Sequence, residues 1–254
     1  YIEQVRCAHE NGLRYLDAGE TTVTPDLFSQ ALLSASAGCE AVDRVMNGEL
    51  AAAFCGVRPP GHHANRFRAL GFCVFNNVAV AAEYARERYG VKTVLVVDWD
   101  VHPGNGTQEI FFDDPGVFTL SIHQADLFAA AGRRELVGRG AGEGFNRNEP
   151  VRSGLPADEY TDIFERAVVE VAAAFRPELL LISAGFDAHR NDPSSNMPLD
   201  HSHFAAMTEI LLRAAHPFTG GRAVSILEGG YNLSALRHSA AAHLKAMAGY
   251  YRAD

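Results

Sequence analysis

The stretch VDWDVHPGNG, residues 97–106, sets Asp98, Asp100 and His102 two residues apart at the end of an apolar run of β-formers. An ordinary core has no use for such a row, because each group is costly to bury unless it is paired or coordinates a cation. Alternate residues of a strand share a face. A strand persisting to residue 102 holds Asp100 and His102 on one side, roughly 7 Å apart at Cα, within reach of one metal ion. Asp187, in SAGFDAH, arrives from another strand end as a third ligand. Two carboxylates and an imidazole leave one coordination position open, which is the arrangement of a catalytic zinc site rather than a structural one. Ligand type alone discriminates poorly, so Fe²⁺ suits the same donors. Asp98 shares that face one step deeper and is better placed to hold a neighbouring group than to touch the metal.

RPPGHHA supplies His62 and His63. Beside a metal with an open position, one imidazole can take a proton from water and return it to a leaving amine. Asp98 and Asn105 are available to fix the tautomers of the two rings. Tyr231 follows Gly229 and Gly230 in EGGYN, a tight turn that could aim its hydroxyl at a developing oxyanion. Gly71 and Phe72, in GFCVFNN, suit the wall of a narrow apolar slot. Taken singly, each reads as an ordinary turn, cap, surface or core residue. Their weight comes from following four different strands.

Those strands are 51–57, 93–97, 117–122, 179–183 and 223–227, alternating with helix-like stretches 25–46, 76–89, 158–175, 201–215 and 234–248. Thr24 reads as the N-cap of the first of these helices, with Pro25 at its first position. The alternation predicts an α/β domain, a mostly parallel sheet covered by helices on both faces. Ligands of such sheets bind beyond the carboxyl ends of the strands, where the unusual residues stand. Segment 124–149 lacks periodicity and reads as a long surface loop. No repeat, low-complexity tract or linker marks a second domain.

The bulk numbers exclude some classes. With 254 residues and a net charge of −9, the chain lacks the basic excess of a duplex-binding surface, so nucleic acid is not expected as a partner. Its apolar runs are too short to span a membrane. Four cysteines without C-x-x-C spacing point to a reducing compartment, and the expectation is cytoplasmic. The chain opens at Tyr1 without a methionine, which leaves a targeting segment open. Oligomeric state is not legible at this level.

RPPGHHA, GFCVFNN, VDWDVHPGNGTQ, TLSIH, SAGFDAH and LEGGYNL, in this order, resemble the successive signatures of the zinc-dependent histone deacetylase family. The wording is closest to the class II branch and its bacterial histone deacetylase-like amidohydrolases. The resemblance implies an arginase–deacetylase α/β fold, with residues 1–254 as one catalytic domain lacking the family's N-terminal part. It implies zinc-dependent removal of acetyl groups from lysine side chains or related amines, so the partner is an acetylated peptide, protein or amine. Asp100, His102 and Asp187 match the zinc ligands, and His62 and His63 match the histidine pair, backed by Asp98 and Asn105. His63 is then the general base and acid, and His62 is largely electrostatic. Tyr231 matches the carbonyl-polarising tyrosine. Gly71 and Phe72 match the tunnel rim and one wall, Phe128 is the nearest candidate for the second wall, and Asp17 matches a rim aspartate that grips the substrate backbone. The family also implies structural potassium. An inner site would use Asp98, Asp100, His102, Ser121 and Ile122; an outer one would use Phe111, Asp114 and Val117. Pro103 departs from the family's usual second histidine. Alternatives are an acetylpolyamine amidohydrolase, for which Asp192 and Asp200 are candidate acidic gatekeepers, a silent acyl-lysine-binding module, and a two-manganese ureohydrolase.

Overall fold

The computed structural model describes residues 1–128 and 130–252. Its sheet has six strands, β1 (Ala52–Cys55), β2 (Val94–Asp98), β3 (Val117–Gln124), β4 (Asn146–Val151), β5 (Leu179–Ala184) and β6 (Ala223–Leu227), all pairing in parallel in the order β1-β6-β5-β2-β3-β4. Every residue of β2, β3 and β5 is buried, which is why β2 and β5 read as near-continuous apolar runs.

Among the described residues seven α-helices accompany the sheet: α1 (Ile2–Arg6), α2 (Leu27–Met46), α3 (Asn77–Tyr89), α4 (Asn105–Phe111), α5 (Ala157–Phe175), α6 (His201–Thr219) and α7 (Leu233–Tyr250). Alternate strand residues feed two separate cores. Leu95, Val97, Leu180 and Ile182 join Tyr160, Phe164, Phe204 and Met207 of α5 and α6 on one face. Val94, Val96, Leu179 and Leu181 join Val42 of α2 and Val78 of α3 on the other. Among the described residues no helix is long and apolar enough to cross a membrane.

The structure corrects four sequence expectations. Helix α2 starts at Leu27 with Asp26 in the cap position, not at Pro25 behind a Thr24 cap; Thr24 instead offers its carbonyl to Leu27 N–H in the preceding turn. The segment taken for one long loop ends in β4, whose NRNEPV carries no apolar alternation. As the edge strand it tolerates Pro150. GNGTQ opens the short helix α4, an element absent from the predicted alternation. Finally, β2 stops at Asp98, so the metal-binding row does not continue a strand.

Candidate active site

Four neighbouring strands, β1, β6, β5 and β2, deliver the predicted residues at their carboxyl ends. After β2 the chain turns on its own acids: Asp98 Oδ1 accepts Asp100 N–H at 3.0 Å, and Asp100 Oδ1 accepts His102 N–H at 2.9 Å. Consecutive side-chain-to-backbone turns, not pleat alternation, therefore bring Asp100 and His102 together. Asp187 joins them from beyond β5. Its Oδ1 accepts Val101 N–H, and its Oδ2 lies 3.1 Å from His102 Nδ1, which is also 3.0 Å from Asp100 Oδ1. Asp100 and Asp187 are wholly buried. Burial and the Asp100 charge push the Asp187 carboxyl up. One Nδ1–H cannot serve both carboxylates at once, whereas a cation among the three ligand atoms serves all of them. The donor set thus suits a divalent metal. Gly229 seals it from behind, donating its N–H to Asp100 Oδ2 at 2.7 Å, and a Cβ at this position would collide with both carboxylates.

His62 and His63 lie on the loop after β1, their rings 4.0 Å apart. His62 Nδ1 donates to Asp98 Oδ2 at 2.9 Å, and His63 Nδ1 donates to Asn105 Oδ1 at 2.6 Å. A carboxylate behind one ring and a neutral amide behind the other separate their chemistry. Burial works against the His62 charge, but Asp98, Asp100 and Glu228 outweigh it and hold the ring well above its ordinary value. Burial and the neighbouring His62 charge keep His63 well below its own. The surroundings thus favour a proton on His62 over one on His63, whose Nε2 is free of the Asn105 bond.

Tyr231 stands on the turn after β6, its ring 5.9 Å from Phe72 and the Arg58 guanidinium 6.0 Å above it. Burial beside Asp100 and Asp187 keeps its phenol protonated, well above its ordinary value. Asn232 then caps α7 through Ala235 N–H, as Asn76 caps α3 through Ala79 N–H just after Phe72.

A family model, the histone deacetylase domain, matches residues 1–247. The chain belongs to the histone deacetylase family. It is similar to histone deacetylase 14, chloroplastic, of Arabidopsis thaliana (38% identity, covering 95% of this chain and 59% of that protein). It is also similar to the histone deacetylase-like amidohydrolase of Pseudomonas aeruginosa (40%, 91% and 61%) and to human polyamine deacetylase HDAC10 (42%, 85% and 32%). A crystal structure of the HDA15 HD domain superposes with a TM-score of 0.91 at 36% identity, covering 98% of this chain and 70% of that one. The chain spans under three fifths of the length of the Arabidopsis relative.

In this histone deacetylase domain the two wall candidates flank the site. Phe128 stacks on His63 at 4.8 Å and meets His102 edge-on at 6.0 Å. Phe72 and Phe128 both hold positive φ, 66° and 48°, a conformation L side chains adopt only under compulsion. Gly71 precedes Phe72 at φ 55°, and a Cβ there would strike the His63 ring. Asp17 is engaged elsewhere: its carboxylate accepts the N–H groups of Gly19, Glu20 and Thr21 and the Thr21 hydroxyl. These bonds fold its own loop. Of the potassium candidates, Asp98 and Ser121 are register partners on β2 and β3. Ser121 Oγ bonds His123, and the Ile122 carbonyl accepts the Tyr160 hydroxyl. Phe111, Asp114 and Val117 line the turn from α4 to β3, with the Asp114 carboxylate paired to Arg86.

Sequence reading passed over Glu228. Wholly buried, it accepts the N–H groups of Gly61 and His62 and the Ser183 hydroxyl, and so props the histidine loop. His62, Cys73 and Glu228 form a second convergent group, but both Glu228 oxygens are spent on these donors. The clue was the acid in LEGG, directly after an apolar strand.

Proposed function

We propose that this domain is a zinc-dependent amidohydrolase that removes acetyl or short acyl groups from the ε-nitrogen of acyl-lysine in peptides or proteins. The observation that carries the reading is the asymmetric histidine pair beside a buried donor set of two carboxylates and one imidazole. Asp100, His102 and Asp187 would hold the metal, which when bound lowers the pKa of water and polarises a carbonyl. His63 Nε2 takes the proton as the water oxygen attacks the acyl carbon. The Tyr231 hydroxyl donates to the oxygen that gains charge. When the C–N bond breaks, His63 returns its proton to the amine, leaving carboxylate and free lysine. His62, positive and tied to Asp98, stabilises the negative charge throughout. Asp98, Asp100, His102, Ser121 and Ile122, with Phe111, Asp114 and Val117, are proposed as the two potassium sites.

An acetylated polyamine is the rival substrate. An acidic gatekeeper for it gains no support from Asp192, which is buried in a turn, or from Asp200, which caps α6 and pairs with Arg190. The test is turnover of an acetyl-lysine peptide and a mono-acetylated polyamine, with chelator and with zinc restored. Peptide turnover abolished by chelator, recovered with zinc and lowered about 100-fold or more in Tyr231→Phe is expected. Folded, zinc-loaded protein that hydrolyses neither substrate sinks the proposal.

A further inference from the structure

We infer that Asp192 is a positioning residue for the hydrolysis, setting the place of the Tyr231 hydroxyl from the opposite side of the Gly229–Gly230 turn; the inference rests on the reaction proposed above. Asp192 is buried, and no basic side chain pairs with it among the described contacts. Its four hydrogen bonds are shared between two segments. Oδ2 accepts Tyr231 N–H at 2.6 Å and Asn232 N–H at 3.0 Å. Oδ1 accepts the N–H and hydroxyl of Ser194, at 3.1 and 2.6 Å. A second stitch runs parallel to it, from Asn232 Nδ2 to the Asn191 carbonyl at 3.0 Å.

The 191–195 loop leads straight out of the metal-ligand segment. Ser195 Oγ donates to the Asp187 carbonyl at 2.8 Å, and Asp192 N–H donates to His189. The catalytic turn is therefore clamped at both ends. Gly229 donates to Asp100 on one side and gives its carbonyl to Phe186 N–H, and Asp192 holds the Tyr231 and Asn232 amides on the other. Between them Gly230, at φ 130°, is a conformation no other residue takes readily. With no hydrogen bond to Asp192, two glycines would leave the Tyr231 Cα free to swing. A displacement of about 1 Å at the hydroxyl suffices for a large loss of rate. The acid at position 192 thus governs where the phenol points while touching neither substrate nor metal ligand.

The experiment is a double-mutant cycle. Asp192→Asn, which keeps the shape and one acceptor oxygen, and Ser194→Ala, which loosens the far oxygen, are made in the wild type and in Tyr231→Phe. Peptide kcat and KM, zinc per chain and amide exchange at residues 231 and 232 are recorded. Expected for Asp192→Asn are a kcat lowered at least 10-fold, KM changed less than 3-fold, unchanged zinc and faster exchange at the two amides. Ser194→Ala should show a smaller loss of the same kind. In the Tyr231→Phe background Asp192→Asn should cost less than 3-fold, because the hydroxyl it positions is gone. Equal losses in both backgrounds, or loss of zinc in step with activity, would overturn the role. An inactive wild type overturns the reaction itself, and with it this assignment, and that result is read before any variant is compared.

Discussion

At the scale of single residues, the site depends on what stands behind each group. The two histidines are neighbours in sequence and alike in burial, yet a carboxylate stands behind His62 and an amide behind His63, which favours the proton on His62 and suits His63 to the base role proposed for it. These partners were legible because GNG and the D-x-D row lie at fixed distances from the metal-binding histidine. Glu228 was not, since an acid after a strand resembles any turn residue until its donors are seen. Asp17, proposed at the rim, also folds its own loop by accepting three N–H groups and the Thr21 hydroxyl. Gly71 offers a sharp test. Gly71→Ala adds about 1–2 kcal/mol of left-handed strain and forces a methyl against His63. Activity should fall at least 30-fold while the urea midpoint shifts only modestly; a variant with full activity would show that His63 can move aside without penalty.

At the scale of elements, the five strands read from sequence are those that carry short runs of apolar β-formers, buried throughout in β2, β3 and β5, and such runs are readily found. β4 and α4 escaped because their pattern serves a polar task. Gln108 of α4 accepts the side-chain N–H groups of Asn146 and Asn148 of β4, and its own amide donates to the Ala131 carbonyl. Asn148 also donates to the Arg133 carbonyl, and Asn146 to that of Leu136. The amide ladder ties down the 130–137 stretch that follows Phe128. Gln108→Ala should therefore raise peptide KM several-fold and expose that stretch to limited proteolysis, while zinc content stays unchanged. Unaltered KM and cleavage pattern would show that the wall stands without the ladder.

At the scale of the whole molecule, buried ionisable groups make stability depend on pH. His243 lies in the core between Thr208 and Ser225, and burial pushes it down to about 3. The unfolded chain takes up the proton near 6.5 and the folded one does not, so this group's stabilisation is complete above that value and drains away as pH falls toward 3. Between pH 7 and 5 the loss is about 2 kcal/mol. Glu228, raised to about 7 by burial, carries the opposite sign, so the informative quantity is a difference. Denaturant unfolding of wild type and His243→Gln at both pH values should show the variant losing less stability on acidification; identical slopes would mean that His243 is hydrated and titrates normally.

The strand order has a consequence in time. Among the described residues β1 has a single neighbour in the sheet, β6, the last of the six strands in chain order. The proposed metal donors follow directly after β2 and β5, which pair with each other. A ribosome therefore delivers a complete donor set well before the loop that must handle protons has a strand to lean on. Until β6 is threaded between β1 and β5, the growing chain holds the proposed donors without the strand that supports its histidine loop.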